Sequence, residues 1–382
     1  MFTSTAIRND MRNFWVCLAL MSICLPTAAT LPVYRELPAS QTPSVTDGAV
    51  KAYSVRSSLL NDEITVAIWT PDGYNTSTND TYPAIYIHDG QNLFDPSFSF
   101  AGVAWELDGT TQKLATDGQI IAPIIVGIYN RGGKQLRPND YFPEKAQNYI
   151  PDNERNDTYL WETCENGFNG DEHAGFVVTE LKPLVDNLYR TNPDRDHTFA
   201  MGSSMGALAS LYLMCEYPDV FGGVACLSTH WIGSLKLSNN YNMTDDPVCA
   251  NAILAYMSDN LPSPDSHRLY FDMGTKGWDA CYLKYESIAR QTAIAHGYST
   301  EDGTLAVHDA IGADHNEYFW QIRATRPLSF LLSKSYCNAI PRIEIDAKNE
   351  NDTWIGLNGI VYARPPKAGI YIRKRRRVMW IP

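Results

Sequence analysis

Charge is sparse in this 382-residue chain and leans to one sign: 19% of residues are charged, and 43 acidic side chains outnumber 31 basic ones, a net charge of −12. Most of such a surface would repel the phosphate backbone, which excludes general nucleic-acid binding. The sequence has no CxxC pair and no Cys/His spacing of the kind that holds a metal, so neither a metal nor a cofactor is expected. No internal repeat is evident, and the apolar stretch near the N-terminus falls short of the roughly 20 residues that a membrane span needs. Stable membrane insertion is not expected. What the chain does have is 44% hydrophobic residues, enough for one large-cored domain with short appendages.

The N-terminus reads as a targeting segment. Arg8 and Arg12 precede an apolar stretch from Phe14 to Leu25, and Pro26-Thr27-Ala28-Ala29 supplies small residues at its end. This is the pattern of a secretory signal peptide over residues 1–29, so a secreted, periplasmic or cell-surface location is expected; an uncleaved anchor is the alternative. Cys17 and Cys24 would leave with it, and six cysteines would remain: Cys164, Cys215, Cys226, Cys249, Cys281 and Cys337. An even number permits disulfides without fixing their pairing. Asn75, Asn79, Asn156, Asn242 and Asn351 open Asn-x-Ser/Thr sequons, relevant only in a eukaryotic secretory pathway.

A Pro/Thr/Ser-rich lead-in linker is expected over 30–50, a main domain over 51–335, and a tail over 336–382 read as a small β or sorting segment. Val55–Leu60 and Ile64–Trp69 read as an antiparallel pair around Asn61-Asp62. Further strands are expected at Ala84–His88, within Ile120–Ile128, before Ser204, at Val224–Ser228 and at Arg268–Met273. Phe176–Arg190 reads as an amphipathic helix, with Pro183 near its start or kinking it. Strands separated by helices predict an α/β fold with a mostly parallel, doubly wound sheet, whose ligands sit beyond the carboxyl ends of the strands. Residues 130–175, rich in Asn, Asp, Glu, Gly and Tyr, read as a long surface excursion near the site. The basic run from Arg364 to Arg377 reads as a solvated edge.

One segment declares a chemistry. Gly202-Ser203-Ser204-Met205-Gly206 stands between a strand-like run and a helix-like run. A Gly-x-Ser-x-Gly turn between strand and helix holds its serine out on a strained elbow, where the backbone amide of Met205 and the helix dipole favour a tetrahedral oxyanion. Ser204 is therefore the candidate nucleophile for acyl transfer. Its base should follow in sequence, and His315 qualifies: it lies in the small-residue loop Ile311–Asp314 ahead of an aromatic helical segment, with His230 as rival. The acid should end a strand between the two. Asp279 sits just past such a strand, whereas Asp272, inside it, reads as a satisfied structural carboxylate. A second oxyanion donor is expected from the Gln91 amide in His88-Asp89-Gly90-Gln91-Asn92, after a buried strand.

Taken together, Tyr86–Asp95, Trp105–Asp108, Glu180–Pro183, Gly202–Gly206, Leu227–Trp231, Gly274–Asp279 and Gly312–Trp320 resemble the putative-esterase family of α/β-hydrolases, over about residues 50 to 333. That family includes feruloyl and acetylxylan esterases, siderophore esterases and acyltransferases. The resemblance implies Ser204, Asp279 and His315 as the triad, and the Gln91 and Met205 amides as the oxyanion hole. Asp89, Trp105, His230 and Trp231, inside the matching stretches, are expected substrate contacts. Some relatives carry the acid closer to the glycine, where this chain has Lys276 and Gly277. The activity implied is that of a secreted serine esterase working through an acyl-enzyme on acylated carbohydrate, feruloyl or acetyl esters of plant cell-wall polysaccharide; siderophore hydrolysis or acyl transfer is the alternative. The alternative of another class is an inactive carbohydrate-binding protein on a hydrolase scaffold, and intact Ser204, His315 and a plausible acid argue against it.

Overall fold

The computed structural model describes residues 31–76 and 79–334, plus the backbone of four short strands between 354 and 380. The expected signal peptide and Cys337 lie outside the described residues.

Nine strands make one sheet: β1 (Tyr34–Glu36), β2 (Ala49–Ser57), β3 (Asp62–Thr70), β4 (Ala84–His88), β5 (Ile124–Ile128), β6 (Thr198–Ser203), β7 (Gly223–Leu227), β8 (Arg268–Gly274) and β9 (Leu305–Ala310), in the order β1-β2-β3-β5-β4-β6-β7-β8-β9. Strands β1, β2, β3 and β5 pair antiparallel, and every pair from β5 across to β9 is parallel. The hairpin expected around Asn61-Asp62 is β2–β3, with Asn61 in the left-handed region at φ 48°. Strands β4 to β8 are buried on both faces, which is why Ala84–Ile87, Ile124–Ile128 and Val224–Leu227 read as continuous apolar runs rather than alternating ones. From β4 the chain crosses to β5 on one side, then returns to β6 on the other. That reversal makes the ends of β4 and β6 the topological switch point, beyond which ligands of such sheets bind.

Ten α-helices accompany the sheet: α1 (Leu107–Thr116), α2 (Arg137–Tyr141), α3 (Leu160–Thr163), α4 (Gly170–Gly175), α5 (Lys182–Leu188), α6 (Met205–Glu216), α7 (Pro247–Asn260), α8 (Gly277–Ala295), α9 (Glu317–Arg323) and α10 (Thr325–Leu332) among the described residues. Leu107 and Leu114 of α1 and Leu328, Leu331 and Leu332 of α10 join Ile85, Ile87, Ile125, Phe199, Met201 and Leu227 in one apolar cluster on one sheet face. On the other face α6, apolar nearly all round and buried through Cys215, lies over β6 and β7, with the Cys226 thiol against the Ala207 carbonyl.

The helix expected at 176–190 begins earlier. α4 passes into α5 through a π-helical stretch, Phe176–Leu181, and Pro183 sits in the first turn of α5. Proline cannot donate to the carbonyl four residues back, and the wider turn ahead of it absorbs that break.

Two expectations are corrected. The lead-in is not a loose linker: β1 pairs with β2, Ser44 bonds the Asp95 carboxylate through backbone and side chain, and Thr46 does the same with Asp108. Residues 130–175 are not a bare surface loop either, because short helices bury Tyr141, Phe142, Ile150, Leu160 and His173. Its polar residues satisfy one another internally, as with Arg131 on Asp140, so it folds without apolar periodicity. In the tail, β10 (Trp354–Gly356), β11 (Val361–Tyr362), β12 (Gly369–Arg373) and β13 (Arg376–Trp380) form a separate antiparallel sheet in the order β11-β10-β12-β13.

Candidate active site

The elbow is built by backbone sterics. A Cβ on Gly202 would run into the backbone of Gly206, so the chain can turn from β6 into α6 only with glycine there. Ser204 is held at φ 56° and ψ −126°, a conformation that costs about 1–3 kcal/mol and persists because its neighbours enforce it. Its amide donates to the Leu227 carbonyl at 2.9 Å and its carbonyl accepts from the His230 amide at 3.2 Å, so β7 and the loop after it brace the strained residue.

The Met205 and Gln91 amides lie in the first turns of α6 and of the short 3₁₀ turn Gly90–Asn92, where helical geometry leaves N–H groups without an intrahelical acceptor. That 3₁₀ turn presses on β5: a Cβ on Gly90 would sit 2.6 Å from the Gly127 carbonyl oxygen. The Gln91 side chain accepts from the Asn130 amide at 3.3 Å, which fastens this loop to the one after β5.

His315, in the loop between β9 and α9, closes the line. Its Nε2 is 2.8 Å from Ser204 Oγ and its Nδ1 is 2.6 Å from Asp279 Oδ1. The rings of Trp320, Tyr282 and Trp278 surround it at 5.0, 5.5 and 5.8 Å, which limits how far it can swing. Asp279 stands in the first turn of α8, wholly buried. Burial pushes its carboxyl up, but the hydrogen bond and charge of His315, the Ser228 hydroxyl and the Arg323 charge together hold it below the usual carboxylate range. Of the two aspartates weighed for this place, Asp272 is bound instead to Arg323 and Tyr270, and Asp279 faces the histidine.

The four expected substrate contacts are placed differently. Trp231 is fully buried, with its indole N–H on Glu286 at 2.7 Å, and His230 has both ring nitrogens engaged, by Tyr282 Oη at 2.7 Å and the Ser234 carbonyl at 2.9 Å. Burial, with the charge of His315 second, drives His230 down to about 3, which keeps it neutral. Trp105 is buried against Trp320. Asp89 is buried under a bidentate Arg137, at 2.8 and 2.7 Å, and accepts from Asn130 at 2.6 Å. All four side chains are buried and brace the loops around the elbow; none offers an exposed surface to a substrate.

Behind the elbow lies a neutral histidine pair. Ser210 gives its proton to the Gly206 carbonyl at 2.8 Å, so it accepts from His88 Nδ1 at 2.8 Å, and His88 Nε2 in turn accepts from His173 Nε2 at 3.1 Å. Burial first, then mutual repulsion, lowers His88 to about 3, and burial lowers His173 to about 4.

Sequence reasoning missed Arg137, Ser228, Arg323 and Trp320. Nothing in their spacing marks them, since each acts through a partner distant in the chain. A cavity of about 650 Å³ between α1, α10 and the β8–β9 edge shares no residue with the Ser204–His315–Asp279 line. Among the described residues no group of His, Cys, Asp or Glu is arranged to hold a metal, no helix is long and apolar enough to cross a membrane, and the five described cysteines are unpaired thiols.

Comparison with known proteins identifies the family and the fold. Residues 57–325 match the family described as "Putative esterase". Two Bacillus subtilis (strain 168) proteins, both described as uncharacterized, are similar: YjcH is 24% identical over 184 residues, 48% of this chain and 63% of its own, and YbbA is 20% identical over 165 residues, 43% and 56%. The aligned part is thus less than two thirds of either relative. Among solved structures, a ferulic acid esterase superposes with TM-score 0.53 at 18% identity, covering 75% of this chain and 98% of its own. The BES protein from Bacillus cereus gives 0.52 at 14%, covering 78% and 99%, and an enterobactin esterase from Shigella flexneri gives 0.51 at 15%, covering 76% and 61%. At such identities the likeness speaks for the fold, an α/β-hydrolase. Because the matched family spans residues 57–325, most of the chain, the protein belongs to the putative-esterase family.

Proposed function

We propose that this protein is a serine carboxylic-ester hydrolase acting through an acyl-enzyme. The observation that carries the reading is the unbroken line Asp279–His315–Ser204, with contacts of 2.6 and 2.8 Å, ending on a serine at a helix N-terminus. In that reading His315 Nε2 takes the Ser204 proton as Oγ bonds to the ester carbonyl carbon, and the Gln91 and Met205 amides receive the oxyanion. Collapse breaks the carbon–oxygen bond to the alcohol, which leaves with the proton from His315. Water, deprotonated by the same nitrogen, then releases the acid and restores Ser204.

The substrates we favour are feruloyl or acetyl esters of plant cell-wall polysaccharide, met outside the cytoplasm as the N-terminal segment suggests. Two observations support an aromatic acyl group: a ferulic acid esterase shares the fold over nearly its whole length, and Trp278, beside His315, donates at 2.9 Å to the carbonyl of Tyr241, a residue that is itself 78% exposed. The enterobactin esterases among the structural neighbours favour a second reading, siderophore ester hydrolysis. The test is acid release from methyl ferulate, acetylated xylan, a chromogenic acetate and a catecholate siderophore ester by the protein and its Ser204→Ala variant. Turnover of the first three lost in the variant supports the cell-wall reading; turnover confined to the siderophore ester overturns it in favour of the second, and no turnover on any overturns both.

A further inference from the structure

The acid of the triad has a second oxygen, and a buried cluster from the loop after β7, from β8 and from α9 determines what that oxygen does. Asp279 Oδ2 accepts from the Ser228 hydroxyl and from the Gly274 amide, each at 2.7 Å. The Ser228 oxygen also receives Arg323 Nη2 at 2.6 Å and Trp320 Nε1 at 3.1 Å. A hydroxyl has one proton and two lone pairs; guanidinium and indole can only donate. With both lone pairs occupied, the Ser228 proton has one destination, Asp279 Oδ2. Arg323 is fixed in turn by Asp272, Nε to Oδ2 at 3.1 Å and Nη2 to Oδ1 at 3.0 Å, while the Tyr270 hydroxyl donates to Asp272 Oδ2 at 3.1 Å. Ser228, Asp272 and Asp279 are wholly buried, and Arg323 and Trp320 are nearly so.

We propose that Ser228, Arg323 and Asp272 are positioning residues for the reaction: they commit the Ser228 proton to Asp279 Oδ2, which leaves Oδ1 to hold His315 in line with Ser204. The proposal rests on the serine-esterase reading of the site. A buried ion pair could simply tie β8 to α9, but the chain of contacts makes a sharper demand. Burial alone would raise the Asp279 carboxyl; the Ser228 hydroxyl and the Arg323 charge are among the groups that bring it down. The other ionisable groups beside His315 are Tyr282 on α8, His230 in the loop after β7, Glu317 on α9 and Asp314, which accepts from the His315 amide at 2.7 Å, and the variants below leave them untouched.

Removing Arg323's charge leaves Asp272 unbalanced and favours the imidazolium. Removing Asp272's charge leaves Arg323 unbalanced and disfavours it. Removing the Ser228 hydroxyl deprives Asp279 of a donor and strengthens its pull on the imidazolium. The experiment compares the full chain with Ser228→Ala, Asp272→Asn and Arg323→Gln, reading kcat and KM against pH, the His315 midpoint by NMR, and Tm. The expected result is a kcat loss of up to about 100-fold in Ser228→Ala with KM nearly constant. The His315 midpoint and the acid limb of kcat/KM should move up in Ser228→Ala and Arg323→Gln and down in Asp272→Asn, by about half a pH unit or more. Folded variants whose His315 midpoint stays put, or moves the same way in Asp272→Asn and Arg323→Gln, would overturn the proposal. If the charge variants do not fold, Ser228→Ala decides: a fixed midpoint overturns it. Should the parent protein turn over no ester, the serine-esterase reading fails by itself, while the NMR midpoints still report on the network.

Discussion

The two ends of the triad are built by different means. The Ser204 end is a matter of backbone: five consecutive residues from the end of β6 into the start of α6, one of them a glycine that admits no side chain, and a serine at φ 56°. The Asp279 end is a matter of side chains: Ser228 after β7, Asp272 in β8, Asp279 in α8, and Trp320 and Arg323 in α9 converge from positions 95 residues apart at the widest. A strained turn is specified locally and can be read locally. A polar network is specified by partners that the chain brings together only on folding, and each member is over-determined by the others.

The largest expected effects bear on both ends at once. Ser204→Ala should reduce kcat by about 10⁶-fold and His315→Ala by a comparable factor, because members of a triad act as a unit. Asp279→Asn should cost about 10⁴-fold by favouring the wrong imidazole tautomer. Steady-state kinetics on a chromogenic acetate, with Tm measured in parallel, checks all three. A loss below tenfold for Asp279→Asn would mean that the acid end has been misassigned.

Next comes the elbow. Gly202→Ala should destabilise the protein by about 1–3 kcal/mol, the cost of forcing atoms into a packed turn, and should lower kcat as well. Chemical denaturation separates the two effects. The Ser228 hydroxyl is the opposite case, since its removal should change the chemistry more than the stability.

The histidines behind the elbow give the comparison a pH axis. His88, His173 and His230 are held at about 3, about 4 and about 3, far below the ordinary 6.5, so between those values the unfolded chain binds protons that the folded chain does not. Stability is therefore fully present above about pH 6.5 and falls as pH drops, until the folded imidazoles themselves protonate near pH 3 to 4. Each should contribute a slope of up to about 1.4 kcal/mol per pH unit in that window. Denaturant unfolding at pH 7 and pH 5 should show the loss, and His173→Gln should flatten it; an unchanged slope in that variant would show that the pair is not the source.

The smallest effect is expected far from both ends. Lys113→Ala, at the cavity beside α10, removes an exposed pair with Asp117 and should alter stability by less than about 0.5 kcal/mol and leave kcat unchanged. A marked change in kcat would show that this cavity takes part in the reaction.

The same contrast explains what could be read before the structure. The parallel strands were legible because burial on both faces makes Ala84–Ile87 and Val224–Leu227 apolar without interruption. Gly202–Gly206 was legible because a turn that tight permits few residues. Asp279 could be preferred to Asp272 because a carboxylate inside a buried strand must already have a partner, and Arg323 is that partner. The lead-in was misjudged because β1 is exposed and short, held by pairing rather than by an apolar face. The substrate contacts at Asp89, Trp105, His230 and Trp231 were misjudged because polar and aromatic residues near a site look alike whether they face the solvent or brace the loops from within. Their orientation depends on Arg137, Trp320, Tyr282 and Glu286, which lie 48, 215, 52 and 55 residues away.

The central claim is that Ser204 carries the acyl group. Mass spectrometry of the protein quenched during turnover of a chromogenic acetate ester tests it directly. The account predicts an acetyl adduct on the peptide containing Ser204 in the parent protein and none in Ser204→Ala; an adduct on another residue, or undiminished turnover by the variant, would contradict it.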